Sequence, residues 1–301
     1  MHLLYYSFVV FLSSAFLLQS ITFCSSQSHC HTSPHHTASQ QYSHLNRTTF
    51  AAALLFTRSH SLRFRSLFLL LFVLLSGDIE LNPGPSAFSL CTLNIRSILQ
   101  PLHSAALSDL IDTHNPDLFC LTETWIKPTT TAAELLNCTS PHYSLLSAPR
   151  NSSNKISSSG GGTAFLIHEP FTQLPTSVPD FSSFESSSVT LQLSHLKLSV
   201  FNIYRPSSSS THSKPFSVFL DHFSSFLSFA ATTPHEFIIT GDFNIHLDNP
   251  ADTLTSQFLS LLSSFNLSQH VHFPTHDKNH ILDLVITSSN TSLAPAVSCT
   301  H

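Results

Sequence analysis

From residue 88 onward, short apolar runs alternate with amphipathic segments, and nearly every apolar run stops at a small group of polar residues. FSLCTLNIRS (88–97) reads as a buried strand ending in a polar turn. A helical segment with Leu102, Ala106 and Leu110 on its apolar face follows, until Asn115-Pro116 breaks it. PDLFCLTETW (116–125), GGGTAFLIH (160–168) and LKLSVFNIYRP (196–206) read as further strands, the last stopped by a proline that cannot continue a ladder. Phe216, Phe219, Leu220, Phe223, Phe226 and Leu227 recur at helical spacing behind Pro215, which predicts an amphipathic helix over 215–229. EFIITGDFNIHLD (236–248) is a strand breaking into a polar loop. Leu254, Phe258, Leu261, Leu262 and Phe265 mark another helix, and HILDLVIT (280–287) another strand. Such alternation without a Gly-rich phosphate loop predicts an α/β sandwich and argues against a dinucleotide fold.

Composition narrows the chemistry. Charged residues are 10% of the 301, against about a quarter in an average soluble chain, and serine occupies much of the surface they would hold. A net charge of −5 argues against a nucleic-acid coat held by simple electrostatics, which needs Lys and Arg to displace counterions from phosphates. The acidity lies after residue 85, where eight Lys plus Arg face fifteen Asp plus Glu. A metal-dependent nuclease tolerates that excess, because the bound cation neutralises an acidic pocket. Cys24, Cys30, Cys91, Cys120, Cys138 and Cys299 form no C-x-x-C pair, so they read as buried thiols of a reducing compartment rather than a zinc or redox motif.

Residues 1–85 have a different texture. Positions 3–24 are an apolar block of signal-peptide length, readable as a secretory leader or a marginal membrane span. A Ser-, His- and Gln-rich tract without periodicity follows and reads as disordered. LFLLLFVLL (67–75) then leads into SGDIELNPGP (76–85), which can be neither helix nor strand. The run is an ordinary Pro-Gly linker or something more specific. It carries every position of D-[VI]-E-x-N-P-G-P and so resembles the 2A-like ribosome-skipping peptides. That resemblance implies that the ribosome fails to join Gly84 to Pro85, dividing the chain into a leader, 1–85, and a second domain, 86–301. The partners it implies are the ribosome and, for the leader, a membrane or translocon.

Polar groups with catalytic chemistry sit where the strands of the second domain end. They are Asn94 and Arg96, Glu123, Tyr204 and Arg205, and Asp242 with Asn244. Asp283 lies in a strand otherwise made for burial, where a carboxylate is costly unless paired. Alone, each has a plain reading. Asn94 is a turn cap, Glu123 a solvated strand-end charge, Tyr204 a core edge, and Asp242 with Asn244 an Asx turn behind Gly241.

Taken in order, LNIRS, TETW, GGGTAFL, YRP, GDFN and LDLVIT resemble the endonuclease/exonuclease/phosphatase superfamily. The wording is nearest the apurinic-type endonuclease domain of LINE-like non-LTR retrotransposons. The resemblance implies a four-layered α/β sandwich, two packed β-sheets flanked by helices, and a DNA-nicking endonuclease acting on double-stranded DNA in the nucleus. Glu123 would be the main ligand of Mg²⁺ or Mn²⁺, supported by Asn94. Asp242 would orient and deprotonate water, Asn244 would hold a phosphate oxygen, and Tyr204 would stabilise phosphoryl charge. Asp283 would fix a catalytic histidine normally carried in a Ser-Asp-His motif. No such motif occurs before the chain stops at VSCTH (297–301), so the expectation is a C-terminally truncated domain of impaired activity. His301 and His276 do not stand in for the missing histidine. A phosphoesterase acting on lipid or nucleotide phosphates, or a dead fragment with a working leader, are the alternatives.

The skipping reading has a direct check. In vitro translation of the full reading frame should yield two products separated between Gly84 and Pro85; a single uninterrupted product would reject it.

Overall fold

The computed structural model describes residues 7–14, 87–150, 160–174, 176–210 and 213–300. These fall in one compact unit comprising Met1–Phe16 and Pro85–His301. The His-rich tract, the 2A-like stretch with Gly84 and Pro85, and His301 lie outside the described residues, as does most of the expected leader.

Two six-stranded sheets make up the frame. The first contains β1 (Ser7–Ser14), β2 (Phe88–Asn94), β3 (Leu118–Thr122), β4 (Tyr143–Ala148), β5 (Thr163–His168) and the last strand, β12 (Leu293–Thr300), in the spatial order β12-β1-β2-β3-β5-β4. The second contains β6 (Thr172–Leu174), β7 (Glu185–Gln192), β8 (Lys197–Tyr204), β9 (Glu236–Asp242), β10 (Leu267–Gln269) and β11 (Asp283–Ser288), in the order β10-β11-β9-β8-β7-β6. Residues 7–14, inside the segment expected to be a leader, thus form a strand antiparallel to both β2 and β12.

Each sheet has one parallel pair, β2 with β3 and β8 with β9. A parallel pair needs a crossover, and a helix supplies it both times. Helix α1 (Pro101–His114) links β2 to β3. After the short α2 (Ala132–Leu136), helix α3 (Phe216–Ala230) links β8 to β9, and α4 (Thr253–Ser264) follows β9. The four strands of the two crossovers are the ones whose C-terminal ends carry LNIRS, TETW, YRP and GDFN.

Alternation along the strands sorts side chains into layers. Leu90, Leu118, Cys120, Phe165 and Ile167 of the first sheet meet Val189, Leu198, Val200, Ile238 and Val285 of the second in an apolar interlayer. Outside the second sheet, Phe219, Phe223 and Phe226 of α3 pack with Phe258 of α4 in a stack of rings 5.3 to 5.6 Å apart. Each such buried Phe contributes on the order of 2–3 kcal/mol. Outside the first sheet, α1 covers Cys91, Leu93, Phe119 and Leu121. The result is a four-layered α/β sandwich, as the sequence implied.

The predicted face of α1 is off by one position. His103, Leu107 and Ile111 are buried, whereas Leu102 is 71% exposed. His103 wins the inward position because its Nδ1–H donates to the Arg96 carbonyl at 2.8 Å, which satisfies the ring inside the fold. Asp283 also differs from expectation: it opens β11 rather than lying within it. Strands β4, β6, β7, β10 and β12 and helix α2 lack the apolar signal that marked the others; β7 begins Glu-Ser-Ser-Ser. Among the described residues no helix is long and apolar enough to cross a membrane.

Polar contacts cross between the sheets just below the ends of the parallel strands. Thr92 and Thr240 join their hydroxyls at 2.7 Å, and Asn202 Nδ2 donates to the carbonyls of Leu121 and Ala164 at 2.8 and 3.2 Å. Beside them Gly241 has φ +126°, and a Cβ there would stand 2.0 Å from the Ile203 carbonyl oxygen of β8. Only glycine fits, so the backbone of the GDFN turn is tied to the backbone of the YRP strand.

Candidate active site

Register places the polar groups in a row. Glu185 of β7 lies opposite Tyr204 of β8, Tyr204 opposite Asp242 of β9, and Asp242 opposite Asp283 of β11. From the other sheet come Asn94, ending β2, and Glu123, just past β3. Asn94 Nδ2 donates to Glu123 Oε1 at 3.1 Å and to Asp242 Oδ2 at 2.7 Å, so one amide nitrogen joins the two sheets. Tyr204 adds its hydroxyl to Glu123 Oε1 at 3.0 Å. Of the residues singled out in the sequence, Asn94, Glu123, Tyr204 and Asp242 therefore share one hydrogen-bonded cluster.

Asn244 and Asp283 flank it. The Asn244 backbone N–H donates to Asp242 Oδ1 at 3.0 Å, and its Nδ2 to the Arg205 carbonyl at 2.8 Å. Asp283 Oδ2 accepts from the Thr275 hydroxyl at 2.9 Å. Arg205 is buried and works through the backbone: Nη1 donates to the Phe243 and Asn244 carbonyls, and its guanidinium lies 5.0 Å over the Phe219 ring. It pins the GDFN loop rather than facing the cluster. Arg96 is exposed at the rim, and His276 faces its own neighbour Asp277 at 2.7 Å.

Backbone strain gathers here too. Arg96, Ser97, Glu123, Trp125 and Asn244 all have positive φ, between 47° and 87°. Non-glycine residues hold that conformation only where surrounding contacts over-determine it. At Glu123 and Trp125 those contacts are the N–H donors of Thr124 and Trp125, which reach the carbonyls of Gly162 and Gly161. The GGG run thus holds the TETW turn.

Two partners of the site were not legible in the sequence. Glu185 accepts from the Arg150 guanidinium and from the Gly162 N–H, and burial raises its pKa despite the arginine. Its strand reads as a serine tract, which hides it. Thr275 receives the Leu282 and Asp283 N–H groups on the same hydroxyl that donates to Asp283. Only its position in the loop before β11 could have hinted at that.

Asp242 and Asp283 are buried, directly opposite, and without an ion pair among the described residues. Burial pushes Asp242 up to about 7, aided by the nearby Glu123 charge and opposed by the Asn94 amide. Burial and the neighbouring Asp242 charge raise Asp283 well above the ordinary carboxylate range. Tyr204 is pushed up by burial and by Glu123, so it stays a hydroxyl donor.

These groups suit a hard cation. Asn94 Oδ1 and Asp283 Oδ1 are buried oxygens with no hydrogen-bond partner among the described residues, an arrangement that costs about 1–3 kcal/mol each unless something is bound. Carboxylate and amide oxygens around them match the donor preference of Mg²⁺ or Mn²⁺. Glu123 and Asn94 are the residues that would hold such an ion.

A carboxyl with a raised folded pKa stabilises at low pH and loses that contribution as pH climbs. The unfolded chain releases the proton near pH 4, whereas the folded chain keeps it up to about 7. In EDTA, the Tm of the full chain should therefore fall between pH 5 and pH 8. Asp283→Asn should lift the pH 8 value by a few degrees and leave the pH 5 value almost unchanged. An equal fall in the variant would place the cost elsewhere.

Comparison with known proteins agrees with this architecture. The chain is similar in fold to an AP endonuclease from Leishmania major, at 15% identity and a TM-score of 0.50 over 67% of this chain and 79% of that one. Other similar structures are the endonuclease domain of TRAS1, a telomere-specific non-LTR retrotransposon, and the catalytic domain of human Nocturnin. The first has 13% identity and a TM-score of 0.48 over 67% of this chain and 84% of that one, and the second 15% and 0.48 over 69% and 92%. No curated protein matches the sequence. The profile of the Endonuclease/Exonuclease/phosphatase family matches residues 91–300. The chain, by that match, belongs to the endonuclease/exonuclease/phosphatase family.

Proposed function

We propose that this chain is a Mg²⁺- or Mn²⁺-dependent endonuclease that nicks double-stranded DNA, in the manner expected of a non-LTR retrotransposon, and acts in the nucleus. Members of its family are hydrolases acting on phosphodiester bonds. The observation that carries the finer reading is the Asn94 amide, which holds the carboxylates of Glu123 and Asp242 together across the two sheets. The LTETW and LDLVIT wording favours the retroelement branch of the superfamily.

Hydrolysis of a phosphodiester needs a deprotonated in-line water, relief of negative charge on the phosphoryl oxygens, and a stabilised leaving oxygen. Bound between Glu123 and Asn94, the divalent ion would supply Lewis-acid polarisation of the phosphate. Asp242 is the general base: its Oδ1 is oriented by the Asn244 N–H and its Oδ2 by Asn94, and burial raises its affinity for a proton. Tyr204 keeps its proton and donates to phosphoryl oxygen as charge develops there. Asn244 spends Nδ2 on the Arg205 carbonyl, which fixes the plane of its amide for contact with a phosphate oxygen. Asp283, with Oδ1 unpartnered, is placed to hold and orient a further donor beside Asp242. The product end carrying a 3′ hydroxyl would prime reverse transcription.

The full chain should nick supercoiled plasmid only when Mg²⁺ or Mn²⁺ is present. Glu123→Gln and Asp242→Asn should each slow nicking by roughly 100-fold or more, and Tyr204→Phe by roughly 10-fold. Nicking that survives the first two substitutions would reject the site. Turnover of lipid or nucleotide phosphates without any DNA nicking would transfer the same site to the phosphoesterase alternative.

A further inference from the structure

Beyond the cleft, GDFNIHLD and HDKNHILD each set histidine near an aspartate, and the fold brings the two loops together. We propose that His246, Asp248 and His280 form a second metal site, suited to zinc rather than magnesium, that clamps the loop after β9 to the loop before β11. One donor atom from each of the three lies within 4.8 Å of the other two. The imidazoles of His246 and His280 lie with ring centroids 4.0 Å apart.

The backbone holds these side chains in place from both loops. The Leu247 N–H donates to the Ile281 carbonyl at 3.2 Å, and the Ile281 N–H returns to Asp248 Oδ1 at 3.0 Å. His280 Nδ1–H donates to Asp248 Oδ2 at 3.1 Å, which fixes the ring and leaves Nε2 with its lone pair. The His246 carbonyl is tied to the Asn249 N–H and the Thr255 hydroxyl, at 3.1 and 3.0 Å.

Donor type decides the metal. Two imidazole nitrogens and one carboxylate are borderline-soft ligands, favoured by Zn²⁺, whereas Mg²⁺ wants an all-oxygen shell. Zinc bonds of about 2.0–2.1 Å put tetrahedral ligands about 3.4 Å apart, so a cluster spread over 4.8 Å needs a contraction of up to about 1.4 Å. The exposed His246 side chain is free to supply that movement, and water would take the fourth position. His276 stays out of the set: its ring is 6.4 Å from that of His280, and its Nδ1 is turned to its own neighbour Asp277 at 2.7 Å.

The site shares no residue with the Glu123 and Asn94 pair and stands whether or not the chain cuts DNA. Its consequence is mechanical. The clamped loops leave β9 and enter β11, so zinc would hold Asp242 and Asp283 in register without touching either.

The test is zinc titration of the full chain against a chromophoric chelator, with melting curves alongside. The full chain carries 21 histidines, so the readout is the difference between proteins. Expected is one zinc equivalent of micromolar affinity that is lost, or weakened roughly 10-fold or more, in His246→Ala and again in His280→Ala. Zinc should raise the wild-type Tm more than that of either variant, and Mg²⁺ should not reproduce the difference. Glu123→Gln should keep the equivalent. Unchanged zinc binding in His246→Ala overturns the proposal, as does loss of the equivalent in Glu123→Gln, which would put zinc in the cleft instead.

Discussion

One amide nitrogen joins the two sheets at the candidate active site. Asn94 ends a strand of the first sheet, and its Nδ2 reaches the carboxylates of Glu123 and Asp242, the second of which belongs to the other sheet. The span is short because the sheets are joined just beneath it, by Thr92 with Thr240 and by Asn202 with two carbonyls of the facing sheet. A slide of either sheet would break these bonds before it disturbed the apolar interlayer, which has no preferred direction. The polar contacts therefore set the position, while the leucines, valines and phenylalanines supply most of the stabilisation.

The same geometry is expensive in the absence of a ligand. Asp242 and Asp283 face each other, buried, on antiparallel strands, where like charges repel most directly. Asn94 Oδ1 and Asp283 Oδ1 are left without partners. The turns that present Glu123 and Asn244 sit at positive φ. Desolvated carboxylates, orphan oxygens and strained turns concentrated at one edge, in a fold otherwise well packed, mark a candidate functional site.

Much of this could be read from the residues, and the exceptions have physical causes. The strands carrying LNIRS, TETW, YRP and GDFN are nearly continuous apolar runs because both of their faces are covered. Topology then does what spacing along the chain cannot. Two crossovers point those four C-terminal ends the same way, so Asn94, Glu123, Tyr204 and Asp242 meet although they are spread over almost 150 positions. Glu185 stayed hidden because β7 opens with three serines, which carry no hydrophobic pattern, yet its carboxylate orders Arg150 and the Gly162 turn. Leu102 was placed on the wrong face because a satisfied histidine, His103, can be buried where periodicity expects an aliphatic residue. Helix α2 did carry a signal, the Thr131 and Glu134 capping box, but with no buried residue behind it the segment lacks the apolar stripe that identifies a helix.

The central claim is that oxygens of Glu123 and Asn94 bind one hard divalent ion next to Asp242. Anomalous diffraction from crystals of the full chain soaked in Mn²⁺ tests it most directly. A single strong peak is expected in the cleft, in contact with the Glu123 carboxylate and Asn94 Oδ1. Manganese found only at the histidines of the outer loops, or a cleft in which Glu123 and Asp242 face different surfaces, would contradict it.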